Sequence, residues 1–441
     1  MNIALCYESV LPARGGCETY IADLARRLVA DGHEVHLYAW RWDAAALPEA
    51  VTLHALPRPR GPRFLRPWRF SAACAAALRQ AGHDVSVGFN KTWGPDVLYP
   101  QGGLYAAAAD YNLRKYRSSL VRGCMRLTKA LDLAHWSFSR LDHRLYLGVD
   151  RPLVVVNSHM VQAHFQHYHG IAPESLRLVR SAIDPQRFGG HDRAGHRQRW
   201  RQRWAIQPQE SVALFVAMNY RLKGLVPLLH AVRRLRGGPL RLVVVGKART
   251  GAYARQARRL GIESQVIFAG PCRDMKACYF ASDFLVHPTF YDPCSLVVLE
   301  ALACGLPVIT TRYNGASELL NAPDDGYVIA DPHDHALLAG CMRRLLDPDR
   351  RSACAAAVRR TAARWTFEDH YQQLLQVFVE AAARKRGGAP GGLPARLKTE
   401  DRGSRIGDSA DRVRPRLSLP DPQAATFAPR SSIPPPDRGG A

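Results

Sequence analysis

Acidic residues are scarce in this chain. Its 441 residues include 38 Asp and Glu against 61 Lys and Arg, a formal net charge of +23. That imbalance implies attraction to something acidic: nucleic acid, anionic lipid or a phosphorylated acceptor. Close cysteine spacing is also missing. Ten cysteines are present, no Cys-x-x-Cys occurs, and Cys272 and Cys278 are the nearest pair. Scattered thiols of this kind suggest a reducing compartment rather than a disulfide framework. No window is long and apolar enough to span a bilayer, and Met1 leads into the run Ile3–Ala4–Leu5–Cys6–Tyr7 without a basic start. A cytosolic protein, or one held on a membrane surface, is expected. There is no internal repeat beyond two similar strand-and-helix rhythms. The length suits two or three domains, and 47% apolar residues are enough to build their cores.

The most informative stretch is His287 to Thr311, HPTFYDPCSLVVLEALACGLPVITT. A buried strand, Phe284–Leu285–Val286, enters a loop bounded by Pro288 and Pro293. Ser295 then opens an apolar helix, Leu296 to Ala303, that Gly305 and Pro307 stop. Val308–Ile309–Thr310–Thr311 is the next strand. The unit is strand–loop–helix–strand, as in a parallel sheet covered by helices. Two features exceed scaffolding. Glu300 interrupts the apolar helix, and Cys294–Ser295–Leu296 presents free amides at a helix N-terminus, where an anion is stabilised.

Two glycine-bearing turns carry similar chemistry. Gly15 and Gly16 sit between the first strand and a helix from about Cys17 to Ala30, where backbone can approach a phosphate closely. The full dinucleotide pattern of three spaced glycines is absent, and no acid ends the second strand, Glu34 to Tyr38, so a nicotinamide or flavin enzyme is disfavoured. Farther on, Asn219–Tyr220–Arg221–Leu222–Lys223–Gly224 follows the strand Val212 to Ala217. Fixed cations there suit negative charge that develops on a departing group.

Asp292 and Glu300, with seven residues between them, followed by Cys304–Gly305–Leu306–Pro307, resemble the signature of the retaining glycosyltransferases of the GT-B fold, the large family four. The resemblance covers about Ile3 to Lys385 and is stronger in the second half. It implies an α/β architecture: two Rossmann-like domains facing across a cleft, a C-terminal helix crossing back, and a disordered tail. The expected domains are an acceptor domain over 1–172, a donor domain over 173–364, the returning helix over 365–386 and a basic Pro/Gly-rich tail over 387–441.

The resemblance also implies roles. Glu300 would accept hydrogen bonds from the ribose hydroxyls of a nucleotide sugar. Asp292 would contact the transferred sugar, although the family normally has the longer Glu there. Lys223 and Arg221 would grip the donor diphosphate, with the amides around Cys294, Ser295 and Leu296 and the loop at Gly15 and Gly16. Arg273, after the strand Val266 to Gly270, is a candidate beside the nucleobase. The resemblance further implies no metal ligand and no bound cofactor, in keeping with the lack of an Asp-x-Asp at a strand end, and UDP-glucose as the co-substrate.

Gly88–Phe89–Asn90–Lys91 looks like the subgroup that glucosylates the heptose of the lipopolysaccharide inner core. Gln101 stands where many relatives carry His, and neither it nor Asp96 receives a role. The implied acceptor is a lipid-linked or phosphorylated saccharide, and the implied location is the inner face of the plasma membrane. Other family-four transferases, of mannose or an N-acetylhexosamine, remain open, as does the oligomeric state.

Two basic stretches suggest a face for headgroups and phosphates. One is Arg58 to Phe70, whose prolines argue against a long helix; the other is Arg114 to Lys129, on a predicted helix. His164 and His167 could share a helical face; a solvated surface is the expectation, with zinc the minor alternative. A basic nucleic-acid binder would need a recognisable module or stacking aromatics, which are not evident. A phosphorylase of the same general fold would need a lysine carrying pyridoxal phosphate.

Overall fold

The computed structural model describes residues 1–12, 15–148, 151–188 and 192–387; the expected tail beyond them lies outside the described residues. Two parallel sheets form the framework. The first has the order β5-β3-β1-β6-β7-β8-β9, built from β1 (Asn2–Cys6), β3 (Glu34–Ala39), β5 (Thr52–Ala55), β6 (Val85–Phe89), β7 (Val97–Tyr99), β8 (Leu153–Val156) and β9 (Leu176–Leu178). The short strands β2 (Ser9–Val10) and β4 (Arg41–Trp42) pair separately. The second sheet has the order β12-β11-β10-β13-β14-β15, from β10 (Ser211–Ala217), β11 (Leu240–Gly246), β12 (Val266–Gly270), β13 (Phe284–His287), β14 (Val308–Thr311) and β15 (Gly326–Ile329).

Helices cover both sheets. Around the first lie α1 (Gly16–Ala30), α2 (Arg66–Ala81), α3 (Tyr105–Tyr111), α4 (Ser119–Ala130), α5 (Leu133–Leu147) and α6 (His159–His169). The second half supplies α7 (Arg193–Arg203), α8 (Leu225–Arg233), α9 (Gly251–Arg259), α10 (Met275–Ala281), α11 (Leu296–Ala303), α12 (His335–Leu346) and α13 (Pro348–Ala362). All seven residues of β10 are buried, as expected for a central strand sandwiched by helices. Its β-branched and aromatic residues have no solvent face to serve, so the run is continuous rather than alternating.

The last helix, α14 (Phe367–Lys385), belongs to the first core. Thr366 caps it by accepting from the Asp369 amide, and Glu368 and Asp369 sit in its first turn, where the helix dipole favours acids. Its buried Tyr371, Leu374 and Phe378 pack with Ile3, Leu5 and Val87. Truncating a buried Phe costs about 3–5 kcal/mol, so this helix is held firmly. Lys385 Nζ reaches Asp96 at 3.2 Å. Asp96 also accepts from the amide and hydroxyl of Ser86 at 2.8 and 2.7 Å. It stands just before β7, at the amino edge of the sheet, so its work is structural.

Three expectations change. β9 pairs with β8, so the first sheet continues through Leu178 and the crossover lies beyond residue 172. The proline-rich basic stretch does enter a helix: Pro67 sits in the first turn of α2, where its missing N–H is no loss. His164 is buried rather than solvated, packed on Tyr111 and Tyr291, while His167 is exposed. Burial pushes the His164 ring down to about 4, so it stays neutral at the junction of the two halves.

Candidate active site

The carboxyl ends of β10 and β13 adjoin, which brings the turn after β10 against the loop after β13. The two are laced through backbone. The Phe290 amide donates to the Leu222 carbonyl at 2.9 Å, and the Thr289 hydroxyl donates to the same oxygen at 3.3 Å. Gly224, the residue before α8, has φ +86°, and a Cβ there would lie 2.0 Å from the Pro288 carbonyl oxygen. Only glycine satisfies both conditions.

This lacing sets Lys223 over Asp292. Its Nζ donates to Asp292 Oδ2 at 2.6 Å and to the Tyr291 carbonyl at 3.0 Å. His287 Nε2 lies 3.4 Å from the same carboxylate oxygen. Burial alone would raise the Asp292 carboxyl, but the Lys223 ammonium and the His287 ring outweigh it and hold the group well below the usual carboxylate range. Burial lowers the His287 ring against the pull of Asp292. The cluster is therefore a cation, an anion and a neutral imidazole in a largely dry pocket.

Next to it, α11 begins with no side-chain cap from Ser295. The Ser295 amide itself donates to Asn314 Oδ1 at 3.1 Å. The Ser295 amide, expected to face a diphosphate, is thus already taken, while the absence of a side-chain cap leaves the amides after it for an anion. Gly15 likewise provides no cap for α1. The two helix starts touch: a Cβ on Gly16 would lie 2.7 Å from Leu296 Cδ1. Gly15, Gly16, Cys294, Ser295 and Leu296 thus gather where the halves meet, with Cys294 and Ser295 buried.

Glu300 lies further along α11, half-buried, and accepts from the Tyr279 hydroxyl at 2.6 Å. Burial pushes its carboxyl up to about 7, against Tyr279 and the charge of Arg187. Arg221 turns away from this cluster. Its guanidinium sits 4.4 Å from the ring centroid of Tyr116, in the first half. Arg273 is exposed on the turn after β12.

Sequence reasoning missed several contributors. Asn314 holds the start of α11 and donates to Thr310 Oγ1 at 3.0 Å; the Asn-Gly dipeptide after β14 was the available signal. Tyr279, which holds Glu300, sits among other apolar residues of α10 and gives no local sign. Glu318 accepts from the His159 and Met160 amides at 2.9 and 2.8 Å, and Ser158 Oγ donates to the Pro293 carbonyl at 2.8 Å. These contacts tie α6 of the first half to the site loop. A cavity of about 310 Å³ opens against the turn after β10, lined by Asn219, Tyr220 and Lys247. A larger one, about 570 Å³, lies in the first half and includes Gly103, which packs on Tyr291 and Pro293.

Comparison with known proteins agrees with this architecture. Residues 14–187 match the family model described as Glycosyltransferase Family 4, and residues 196–361 match that of Glycosyl transferases group 1. The chain is 27% identical to the lipopolysaccharide glucosyltransferase WaaG of Escherichia coli over 350 residues, 78% of this chain and 90% of WaaG. A crystal structure of WaaG superposes with a TM-score of 0.71 at 25% identity, covering 88% of this chain and 100% of that one. A probable transglycosylase of Burkholderia thailandensis is 30% identical over 387 residues, 85% of this chain and 96% of its own. A D-inositol 3-phosphate glycosyltransferase of Acidothermus cellulolyticus is 26% identical over 417 residues, 87% and 89% of the two chains. With both of its halves matched and the fold in common, the chain belongs to the GT-B glycosyltransferases that pair a family-four domain with a group 1 domain.

Proposed function

We propose that this glycosyltransferase moves a hexose, glucose from UDP-glucose in the first instance, onto a hydroxyl of a lipid-linked saccharide such as the heptose of a lipopolysaccharide inner core. The observation that carries the reading is the contact of Lys223 with Asp292 beside the uncapped start of α11. The donor diphosphate would lie against that helix start and draw Lys223 toward it. Glycosidic bond cleavage places negative charge on the leaving diphosphate, and the ammonium and amides stabilise it without needing to be oriented at that moment. Asp292 keeps Lys223 in place beforehand and faces the transferred sugar. Glu300 takes the ribose hydroxyls. Anomeric configuration is retained, and no bound metal is required in this scheme. The similarity to WaaG supports the choice of glucose and acceptor. A small phosphorylated acceptor is the second reading, supported by the relative named for D-inositol 3-phosphate.

A screen of UDP-, GDP- and ADP-sugars for transfer or hydrolysis tests the donor. UDP-glucose is expected to turn over and UDP to bind in calorimetry while NADH does not. Turnover of GDP-mannose or UDP-N-acetylhexosamine alone would move the assignment to another hexose. No turnover of any nucleotide sugar, and no UDP binding, would overturn it.

The acceptor's lipid places the enzyme at a membrane face. Among the described residues, six of the ten exposed large apolar side chains fall between residues 120 and 136, including Leu120 at 80%, Leu131 at 85% and Trp136 at 68% exposure. No residue of α4 is buried, and Arg122, Arg126 and Lys129 lie on it. Apolar side chains among cations suit an anionic lipid surface. Cations of both basic stretches have partners in the protein, Arg122 on the Tyr116 carbonyl and Arg126 on Asp110 as much as Arg69 on the Arg60 carbonyl and Arg66 on Gly61, so the exposed apolar side chains set α4 apart. Replacing Leu120, Leu127, Leu131 and Trp136 by serine is therefore expected to abolish sedimentation with phosphatidylglycerol vesicles. Neutralising the arginines at 58, 60, 63, 66 and 69 should weaken it only in part. Unchanged sedimentation of the serine variant would refute the role of α4.

A further inference from the structure

The larger cavity has a feature that the transfer reaction alone does not explain. Lys91 projects into it from the loop after β6, half-buried. Its Nζ lies 3.6 Å from the ring centroid of Phe138 and 4.7 Å from that of Tyr105. Among the described residues no carboxylate stands within ion-pair distance of it. Burial lowers its pKa, partly offset by the more distant charges of Asp142 and Glu8. The two aromatic faces offset part of the cost of desolvating an ammonium that has no acid in contact, and a bound anion would relieve the rest.

The surroundings define that anion's setting. Arg63 and Arg66 line the same cavity and are exposed, so they add positive potential to it. Tyr105 and Phe138 offer ring faces to an apolar side of a sugar. The half-buried Glu8 offers a carboxylate to hydroxyls, and burial raises its pKa against Lys91 and Arg66. Gly103 closes the cavity toward the other half. Its φ is +71°, and a Cβ there would lie 2.3 Å from the Tyr291 hydroxyl. Tyr291 precedes Asp292, so this wall of the cavity is one residue from the Lys223 cluster. A saccharide lodged here would direct a hydroxyl toward the sugar being transferred.

We infer that Lys91 selects the acceptor: the 570 Å³ cavity takes a saccharide bearing an anionic substituent, a phosphate monoester or a sugar carboxylate, and Lys91 binds that group with Arg63 and Arg66. This rests on the proposed function, since it names the acceptor of the same reaction. It makes Lys91 a specificity-determining residue with no part in holding the donor.

The test uses full-length enzyme, UDP-glucose and deacylated lipopolysaccharide core saccharide in three forms: untreated, phosphatase-treated and carboxyl-reduced. Wild-type kcat/KM is expected to fall on the order of tenfold or more when the recognised anion is removed, and the affected form identifies phosphate or carboxylate. Lys91→Gln should show that fall on untreated acceptor, with little further loss on the form lacking the anion. Lys91→Arg should retain the preference. UDP affinity, measured calorimetrically, should be unchanged in both variants. A Lys91→Gln loss equal on all three forms, or a wild-type enzyme indifferent to both treatments, would overturn the inference. The ratio between forms is insensitive to a general loss of folded protein. Absence of UDP binding by the wild type would instead defeat the donor assignment.

Discussion

Lys223→Ala is expected to lower kcat by about 10²–10³, the usual effect of removing one preorganised group that stabilises developing negative charge. The donor KM should change far less. Nζ now bonds Asp292 and Tyr291, so the ground state already satisfies it, and its larger gain comes when the diphosphate accumulates charge. The substitution also strands Asp292 beside a neutral His287. Breaking a buried pair by removing one member costs about 3–5 kcal/mol, and a loss of thermal stability is expected. Chemistry and folding separate in the double variant Lys223→Ala, Asp292→Asn. It should recover much of the lost Tm and none of the lost kcat. Steady-state rates with saturating UDP-glucose, read beside thermal melts, decide the matter. Near-normal kcat in the single variant would remove Lys223 from the reaction.

Glu300→Ala is expected to weaken UDP-glucose binding by about 10- to 100-fold, the loss of hydrogen bonds to a charged acceptor worth about 1.5–3 kcal/mol. The carboxyl also carries a pH signature. Burial raises it from an ordinary 4.5 to about 7, so the folded chain retains a proton that an unfolded chain has released between those values. The stability this group contributes is fully present below 4.5 and is lost as pH rises through 7. Donor binding runs the other way, because the ionised carboxylate is the better acceptor for ribose hydroxyls. UDP-glucose affinity should therefore climb from pH 6 to pH 8 while this contribution to thermal stability declines. Glu300→Gln should flatten both trends and keep the Tyr279 hydroxyl partnered. Calorimetric titrations across that range are the check, and an unchanged affinity for Glu300→Ala would exclude the ribose role.

What could be read from the chain alone follows from where the determinants lie. The unit from Phe284 to Thr311 was legible because its apolar runs and its Gly and Pro stops are local. Thr366 and the acids after it marked α14 for the same reason. Lys223 was visible beside Gly224, but its bond to Asp292 spans 69 positions and depends on β10 lying next to β13. Tyr279, Asn314 and Glu318 act through partners 21, 19 and up to 159 residues away. Tyr279 and Glu318 are ordinary polar residues in their own neighbourhoods, and only the Asn-Gly dipeptide gave Asn314 a local mark. Arg221 shows the converse: placed next to the site by sequence, it turns instead to Tyr116 of the other half.

The return of α14 onto the first sheet bears on how the polypeptide is made. Ile3, Leu5 and Val87 are synthesised early and share their core with Ile21, Leu24 and Leu28 of α1, yet Tyr371, Leu374 and Phe378 complete that core. The earliest portion of the nascent chain thus keeps a partly covered oily face until the last described helix is translated. Among the described residues, the later-made sheet has its covering helices by Ala362 and can mature before its elder neighbour.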